Sequence, residues 1–352
     1  MDIDDMLRRC MESGASDLHL RVPSKPLLRI DGQLVEQEDL DTVTPDYVVD
    51  VLNRLTTPEQ RSVFYRELEL DFAYSVPGMA RYRVSVLRQR GTLSFAFRLV
   101  PFRIPTIEEL GLPQICKKLI LKPRGLILVT GPTGSGKSTT LAAMLDYLND
   151  NVKANVITIE DPIEYLYQNK KCLIAQRDLG DDTRSFSNAL IHALRHDPDV
   201  ILVGEMRDLD TISTALRAAE TGHLVLSTLH TVDAAQTVDR LIDVFPPNQQ
   251  QQIRLQFAQV MEGILSQTLI PRKNGKGRVA AFEILVGVAA ARNLIRDGQS
   301  YKLQNIMELG SKDDMNTLNQ ALSVLVKQKV ISMEEAMVKS SHPEHLQKVI
   351  GV

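Results

Sequence analysis

Apolar and polar positions alternate with a period of two through much of the first hundred residues. Residues 17–22 read as a strand, and 27–30 and 33–35 read as two more, joined at the tight-hairpin dipeptide Asp31-Gly32. Thr57-Pro58-Glu59-Gln60 predicts a helix start, with Thr57 as N-cap, Pro58 in the first turn and Gln60 reaching back. Residues 81–87 and 92–99 alternate as strands around Gln89-Arg90-Gly91. Pro101-Phe102-Arg103-Ile104-Pro105 then breaks the pattern, because closely spaced prolines favour a stiff extended segment. Thr106-Ile107-Glu108-Glu109 reads as a capping box for a short helix closed by Gly111. The pattern predicts an N-terminal α+β domain over 1–100, a linker over 101–112 and a second domain over 113–352.

From Arg124 the period changes. Short apolar runs at 126–129, 156–159, 200–203 and 224–229 alternate with helical segments, which suits a parallel sheet covered on both faces. After Pro247, residues Ile253, Phe257, Val260, Met261 and Ile264 fall at helical spacing and predict one continuous helix. Asn274-Gly275 predicts a hairpin leading into 278–286. The last sixty residues read as helical, with Leu318, Leu322, Leu325 and Val326 on one stripe that suits core or subunit packing.

Composition narrows the class. A length of 352 residues suits two domains, and 43% hydrophobic with 24% charged residues excludes a disordered or fibrous chain. A net charge of -3, 5% aromatic residues and no Trp argue against a nucleic-acid partner. Apolar runs such as 284–291 fall short of the ~20 residues a membrane helix needs, and the acidic Met1-Asp2-Ile3-Asp4-Asp5 does not read as a secretory signal. Cys10, Cys116 and Cys172 are far apart, so neither a zinc knuckle nor a disulfide framework is expected. These features together describe a cytosolic, multidomain globular protein.

The strongest chemical signal is Gly131-Pro132-Thr133-Gly134-Ser135-Gly136-Lys137-Ser138, which matches G-x-x-x-x-G-K-[ST] between a buried strand and the helical run that opens at Thr139. Glycines let consecutive N–H groups turn onto phosphate oxygens, and the helix N-terminus adds positive potential. Lys137 is placed to reach the β- and γ-phosphates and the Ser138 hydroxyl to ligate Mg²⁺. Two later strands end in acids. The run 200–203 leads through Gly204 to Glu205, a candidate for holding Mg²⁺ through water. The run 156–159 leads to Glu160, Asp161 and Glu164, one of which could polarise an attacking water. Solvated turns and helix caps remain open for the same acids. His223 and His230 bracket the strand 224–229; His230 suits the γ-phosphate, while His223 reads equally well as a satisfied structural histidine. Between Phe72 and Ile107 stand Arg81, Arg83, Arg88, Arg90, Arg98 and Arg103 with no Asp, Glu or Lys. A solvated basic strand face and a phosphate-facing role are both open for them.

Taken together, these segments resemble the secretion ATPase superfamily, and within it the PilT-type motors that retract type IV pili. The resemblance runs over nearly the whole chain. It rests on Ala15-Ser16-Asp17-Leu18-His19, the phosphate loop, Thr158-Ile159-Glu160-Asp161-Pro162-Ile163-Glu164-Tyr165, the run from Asp197 to Asp208, and Thr221-Gly222-His223-Leu224 through Thr228-Leu229-His230-Thr231. A C-terminal run, Ala290-Ala291-Arg292-Asn293-Leu294-Ile295-Arg296-Asp297, is similar to the retraction family's A-I-R-N-L-I-R-E, with Ala291 for Ile and Asp297 for Glu. Extension-type and type II secretion ATPases usually carry a four-cysteine zinc module and a longer N-terminal region, which this sequence lacks.

The resemblance implies an N-terminal PAS-like α+β domain, a RecA-like P-loop ATPase domain with a helical C-terminal region, and a homohexameric ring. It implies ATP and Mg²⁺ as cofactors, Glu160 as catalytic glutamate and Glu205 as the Walker B acid. It implies His230 and His223 as nucleotide-sensing residues, and Arg83 and Arg98 as arginines that swing over the phosphates. The implied partners are an inner-membrane platform protein and, through it, pilin; no zinc and no nucleic acid are expected. The implied location is the cytoplasmic face of the inner membrane. A pilus-extension or secretion motor and a RecA-like nucleic-acid translocase are the alternatives.

Overall fold

A strand with one apolar side must bury that side, and the first hundred residues do so with a single antiparallel sheet. In the computed structural model, which describes residues 2–30, 32–76, 79–100, 103–275 and 277–351, six strands form it. They are β1 (Asp17–Arg21), β2 (Leu27–Ile30), β3 (Gln33–Glu36), β4 (Glu69–Val76), β5 (Ala80–Gln89) and β6 (Thr92–Val100), in the order β3-β2-β1-β6-β5-β4. Tyr82, Val84 and Val86 of β5 and Phe95 and Phe97 of β6 point to one face. They share a core with the helices Ile3–Glu12, Pro45–Leu55 and Pro58–Glu67. The reciprocal Thr57–Gln60 capping box forms as the sequence predicts. The β5–β6 turn places Arg90 and Gly91 in the left-handed region, φ +45° and +82°, the geometry that matches the twist of the flanking strands. Asp31 of the β2–β3 hairpin and Pro101-Phe102 of the expected linker lie outside the described residues.

Chain contacts separate two units, Met1–Arg103 with Glu164–Leu166, and Ile104–Ile163 with Tyr167–Val352. The second unit holds β7 (Gly125–Thr130), β8 (Asn155–Glu160), β9 (Leu173–Asp178), β10 (Val200–Val203), β11 (Leu224–Leu229), β12 (Met261–Pro271) and β13 (Arg278–Val286). Their order is β13-β12-β7-β11-β10-β8-β9. Every neighbouring pair is parallel except β12–β13.

The continuous apolar runs are explained by two cores. Leu126, Leu128, Ile201, Val203 and Val225 face one side, with the helices Leu209–Glu220, Ala234–Asp243 and Pro247–Val260. Ile127, Val129, Val200, Leu202 and Leu226 face the other, with Ile115–Ile120 and Lys137–Asn151. Neighbouring residues on one strand therefore both lie in apolar surroundings, and no polar alternation survives.

Two expectations are corrected. The capping-box bonds at Thr106 and Glu109 form in both directions, at 3.0 and 3.1 Å, and Gly111 takes φ +64°. They close only a turn, because one turn alone does not repay helix nucleation. The helix after Pro247 stops at Val260, and Met261 and Ile264 belong to β12. A helical stripe and a buried strand both place apolar residues there, and pairing with β7 decides for the strand. A Cβ on Gly263 would stand 2.8 Å from the Leu119 side chain, so this strand packs tightly on the helix beneath it.

Candidate nucleotide site

The parallel strands β7, β8, β10 and β11 bring their carboxyl ends to one edge of the sheet, the usual ligand edge of such folds. At the end of β7 the chain enters the glycine-rich loop. Gly131, Gly134 and Gly136 adopt φ of +141°, +76° and +89°. A Cβ on Gly131 would come within 2.2 Å of the Gln267 carbonyl and 2.7 Å of Ser135 Oγ, so only glycine fits. The helix Lys137–Asn151 follows with no side-chain cap and no acid in its first turn, which leaves its N-terminal potential positive toward the loop. Ser135 Oγ is buried without a hydrogen-bond partner among the described residues. An orphaned hydroxyl, glycines that admit no side chain and an uncapped helix start together fit a phosphate.

Lys137 Nζ donates to the carbonyls of Gly131 at 2.8 Å and Pro132 at 3.2 Å, which holds the ammonium over the loop. Burial lowers its pKa, and the Glu205 carboxylate works in the opposite direction. Ser138 and Thr139 begin the helix beside it. From β12, two side chains brace the loop. Thr130 Oγ1 donates to Ser266 Oγ at 2.9 Å, and Thr140 Oγ1 to Gln267 Oε1 at 2.7 Å. Nothing in the local sequence announces either contact.

The acids stand on the adjoining strands. Glu160, at the end of β8, is 8% exposed, and its Oε1 accepts from Thr158 Oγ1 at 2.6 Å and Gln176 Nε2 at 3.1 Å. Gly204 allows β10 to close on it: a Cβ there would meet the Ile159 carbonyl at 3.1 Å and Glu160 Cα at 3.3 Å. Glu205 follows, and its Oε1 is held by Arg207 Nε and by His230 Nε2 at 3.1 Å. Arg207 was not singled out from the sequence. A cleft of about 380 Å³ beside these groups is lined by Glu205, Met206, Arg207, His230, Thr231 and Arg240, among others.

The structure thus gathers the phosphate loop, Lys137, Glu160, Glu205 and His230 at one edge. It does not bring His223 to them. Register pairs Leu224 with Gly125 and Leu229 with Thr130, so His223 lies at the far end of β11, roughly 20 Å along the strand. There His223 Nδ1 lies 2.9 Å from the Ala218 carbonyl at the end of the helix Leu209–Glu220, a structural role within this chain.

In the first unit, Arg83 and Arg98 face each other across β5 and β6. Arg98 Nε donates to Asp17 Oδ1 at 2.9 Å. Burial of Asp17 would raise its pKa, but hydrogen bonds from Ser16 and Arg98 outweigh burial and lower it. The Ser16-Asp17 pair of the N-terminal motif therefore has a partner inside its own unit.

The site can be set beside known proteins. A type IV pilus retraction ATPase of Pseudomonas aeruginosa, PilT, is 47% identical over 345 residues, 98% of this chain and 100% of that protein. A twitching motility protein of Neisseria gonorrhoeae is 44% identical over 321 residues, 91% of this chain and 86% of that one. A crystal structure of the pilus retraction motor PilT with bound ADP superposes with a TM-score of 0.92 at 44% identity, covering 99% of each chain. The family model for type II/IV secretion system proteins matches residues 1–279, which include the loop, Glu160, Glu205 and His230. With full-length relatives on one side and these motifs gathered at one sheet edge on the other, the chain belongs to the type II/IV secretion system protein family.

Proposed function

We propose that the chain is an ATP-hydrolysing motor that drives type IV pilus retraction. The observation that carries the reading is the phosphate loop at the end of β7, complete with its buried Ser135 hydroxyl, in a chain nearly half identical to a retraction ATPase over its full length. In this reading residues 131–139 hold the ATP phosphates. Glu160 orients the attacking water, and Ser138 and Glu205 hold Mg²⁺. Among the described residues no three His, Cys, Asp or Glu side chains gather as a metal cage. One hydroxyl and one carboxylate suit Mg²⁺, which keeps several waters and takes phosphate oxygens; the ion supplies charge neutralisation on the transferred phosphoryl group.

His230 and Arg207 both hold Glu205 Oε1, so Glu205 is freed only when both side chains are drawn away, for example toward phosphate. The second unit is a RecA-like ATPase domain and the first a PAS-like domain, with the boundary falling over 101–112. The working form is a homohexameric ring at the cytoplasmic face of the inner membrane. There it acts on pilin through a platform protein, and Arg83 and Arg98 close over the nucleotide. Deleting the gene in its host tests the direction of work. Surplus surface pili without twitching are expected; loss of pili would instead assign the chain to pilus extension.

A further inference from the structure

Glu160 is not simply an acid at a strand end. Its neighbours on β8 and β9 form a small built environment. Register pairs Thr158 with Gln176 and Glu160 with Asp178, so the four side chains share one face of the β8–β9 pair. Thr158 is fully buried and Glu160 nearly so. Two donors meet on the same oxygen, Glu160 Oε1: the Thr158 hydroxyl at 2.6 Å and the Gln176 amide nitrogen at 3.1 Å. The orientation of the Gln176 amide follows from its other end. The Tyr167 backbone N–H donates to Gln176 Oε1 at 3.0 Å, so the NH₂ group is the end that faces Glu160.

We propose that Thr158 and Gln176 are positioning residues for Glu160, a hydrogen-bonding clamp that fixes where its carboxylate sits. The proposal rests on the reading of Glu160 as the water-orienting base. The two donors fix one oxygen of the carboxylate, and with it the side chain's rotamer at the end of β8. A base displaced by ~1 Å loses much of its advantage, so the clamp acts on turnover rather than on nucleotide binding.

The test uses the full chain and ATP. Thr158→Val keeps the shape and removes the hydroxyl; Thr158→Ser restores it; Gln176→Met keeps the length and removes the amide. Thr158→Val and Gln176→Met should each lower kcat about tenfold, with KM and the Kd for ATP within about twofold of the parent. Thr158→Ser should regain most of the rate. On a Glu160→Gln background neither change should lower the residual rate further, because both act through Glu160. A parental kcat in Thr158→Val or Gln176→Met overturns the clamp, as does an equal further loss on the Glu160→Gln background. If Thr158→Val does not fold, Gln176→Met on the edge strand decides alone. A parental rate in Glu160→Gln by itself would instead overturn the reading of Glu160 as base.

Discussion

Glu283 offers a sharp test of the energetics of the second unit. It lies on β13, 7% exposed, and Oε1 accepts from the Ala234 N–H at 2.9 Å, at the start of the helix that follows the His230 loop. Burial pushes its pKa up to about 7, against 4.5 in the free side chain; the Ala234 and Leu318 N–H groups pull it down and Asp233 adds to the rise. The folded chain therefore keeps the Glu283 proton up to about pH 7, whereas the unfolded chain releases it near 4.5. Between those values the folded state binds more protons, so stability falls as pH rises and the cost is complete above the folded value. At about 1.4 kcal/mol per unit, the whole cost is about 3 kcal/mol.

Glu283→Gln removes the titration. It also loses one acceptor, a fixed penalty of about 1 kcal/mol at every pH. Urea unfolding followed by circular dichroism, run on both proteins from pH 5 to 8, isolates the effect, since all other groups titrate alike in both. The stability difference should move by about 2 to 3 kcal/mol in favour of the variant as pH rises. A difference that stays flat would refute the account of a buried carboxyl held neutral by its surroundings.

Lys137→Ala should reduce ATP hydrolysis to background in a steady-state phosphate-release assay, because it removes the cation over the phosphate loop. Gly131→Ala should abolish nucleotide binding measured by titration calorimetry, since its methyl group would collide with the Gln267 carbonyl. Arg292 donates to the carbonyls of Gly287, Ala258 and Gln259 and to Glu262. Arg292→Ala should therefore lower the urea midpoint, by roughly 2–3 kcal/mol in stability. The exposed Asn293 is then the better probe of coupling in the C-terminal motif: Asn293→Ala should keep the parental midpoint while a complemented host loses twitching. Arg98→Ala should leave circular dichroism unchanged and lower the thermal midpoint of the first unit measurably, since it takes a hydrogen-bonding partner from the buried Asp17 carboxylate.

The phosphate loop was legible because its chemistry is local: eight consecutive residues carry the turn, the cation and the hydroxyl. Glu160 and His230 were legible because each directly follows a buried apolar run, and Glu205 because it stands one glycine beyond one. Gln176, Gln267, Arg207 and Glu283 were not marked in the same way. Gln176 sits on an edge strand whose residues are mostly exposed or half-exposed, just past the short apolar run that ends at Ala175, so nothing local marks it as part of a site. Gln267 touches a loop more than a hundred residues earlier, which no local pattern encodes. His223 is the opposite case. The family motif groups it with His230, while the six residues of strand between them put it at the other end of the sheet, as the sequence spacing already allowed.

The antiparallel strand β13 has a practical meaning for dividing this protein. The family model ends at residue 279, while β13 spans Arg278–Val286 and pairs with β12 at every position from Gly263 to Pro271. A chain cut at that boundary would keep the whole glycine-rich loop and the acids beside it. It would also strip the partner from the strand that braces the loop through Ser266 and Gln267. The bared edge of β12, rich in Ile and Leu, would then be open to strand pairing with other molecules. Such a fragment would be expected to precipitate on expression, and the failure would say nothing about its catalytic residues. The unit that can be studied on its own has to include the hairpin and the C-terminal helices packed behind it.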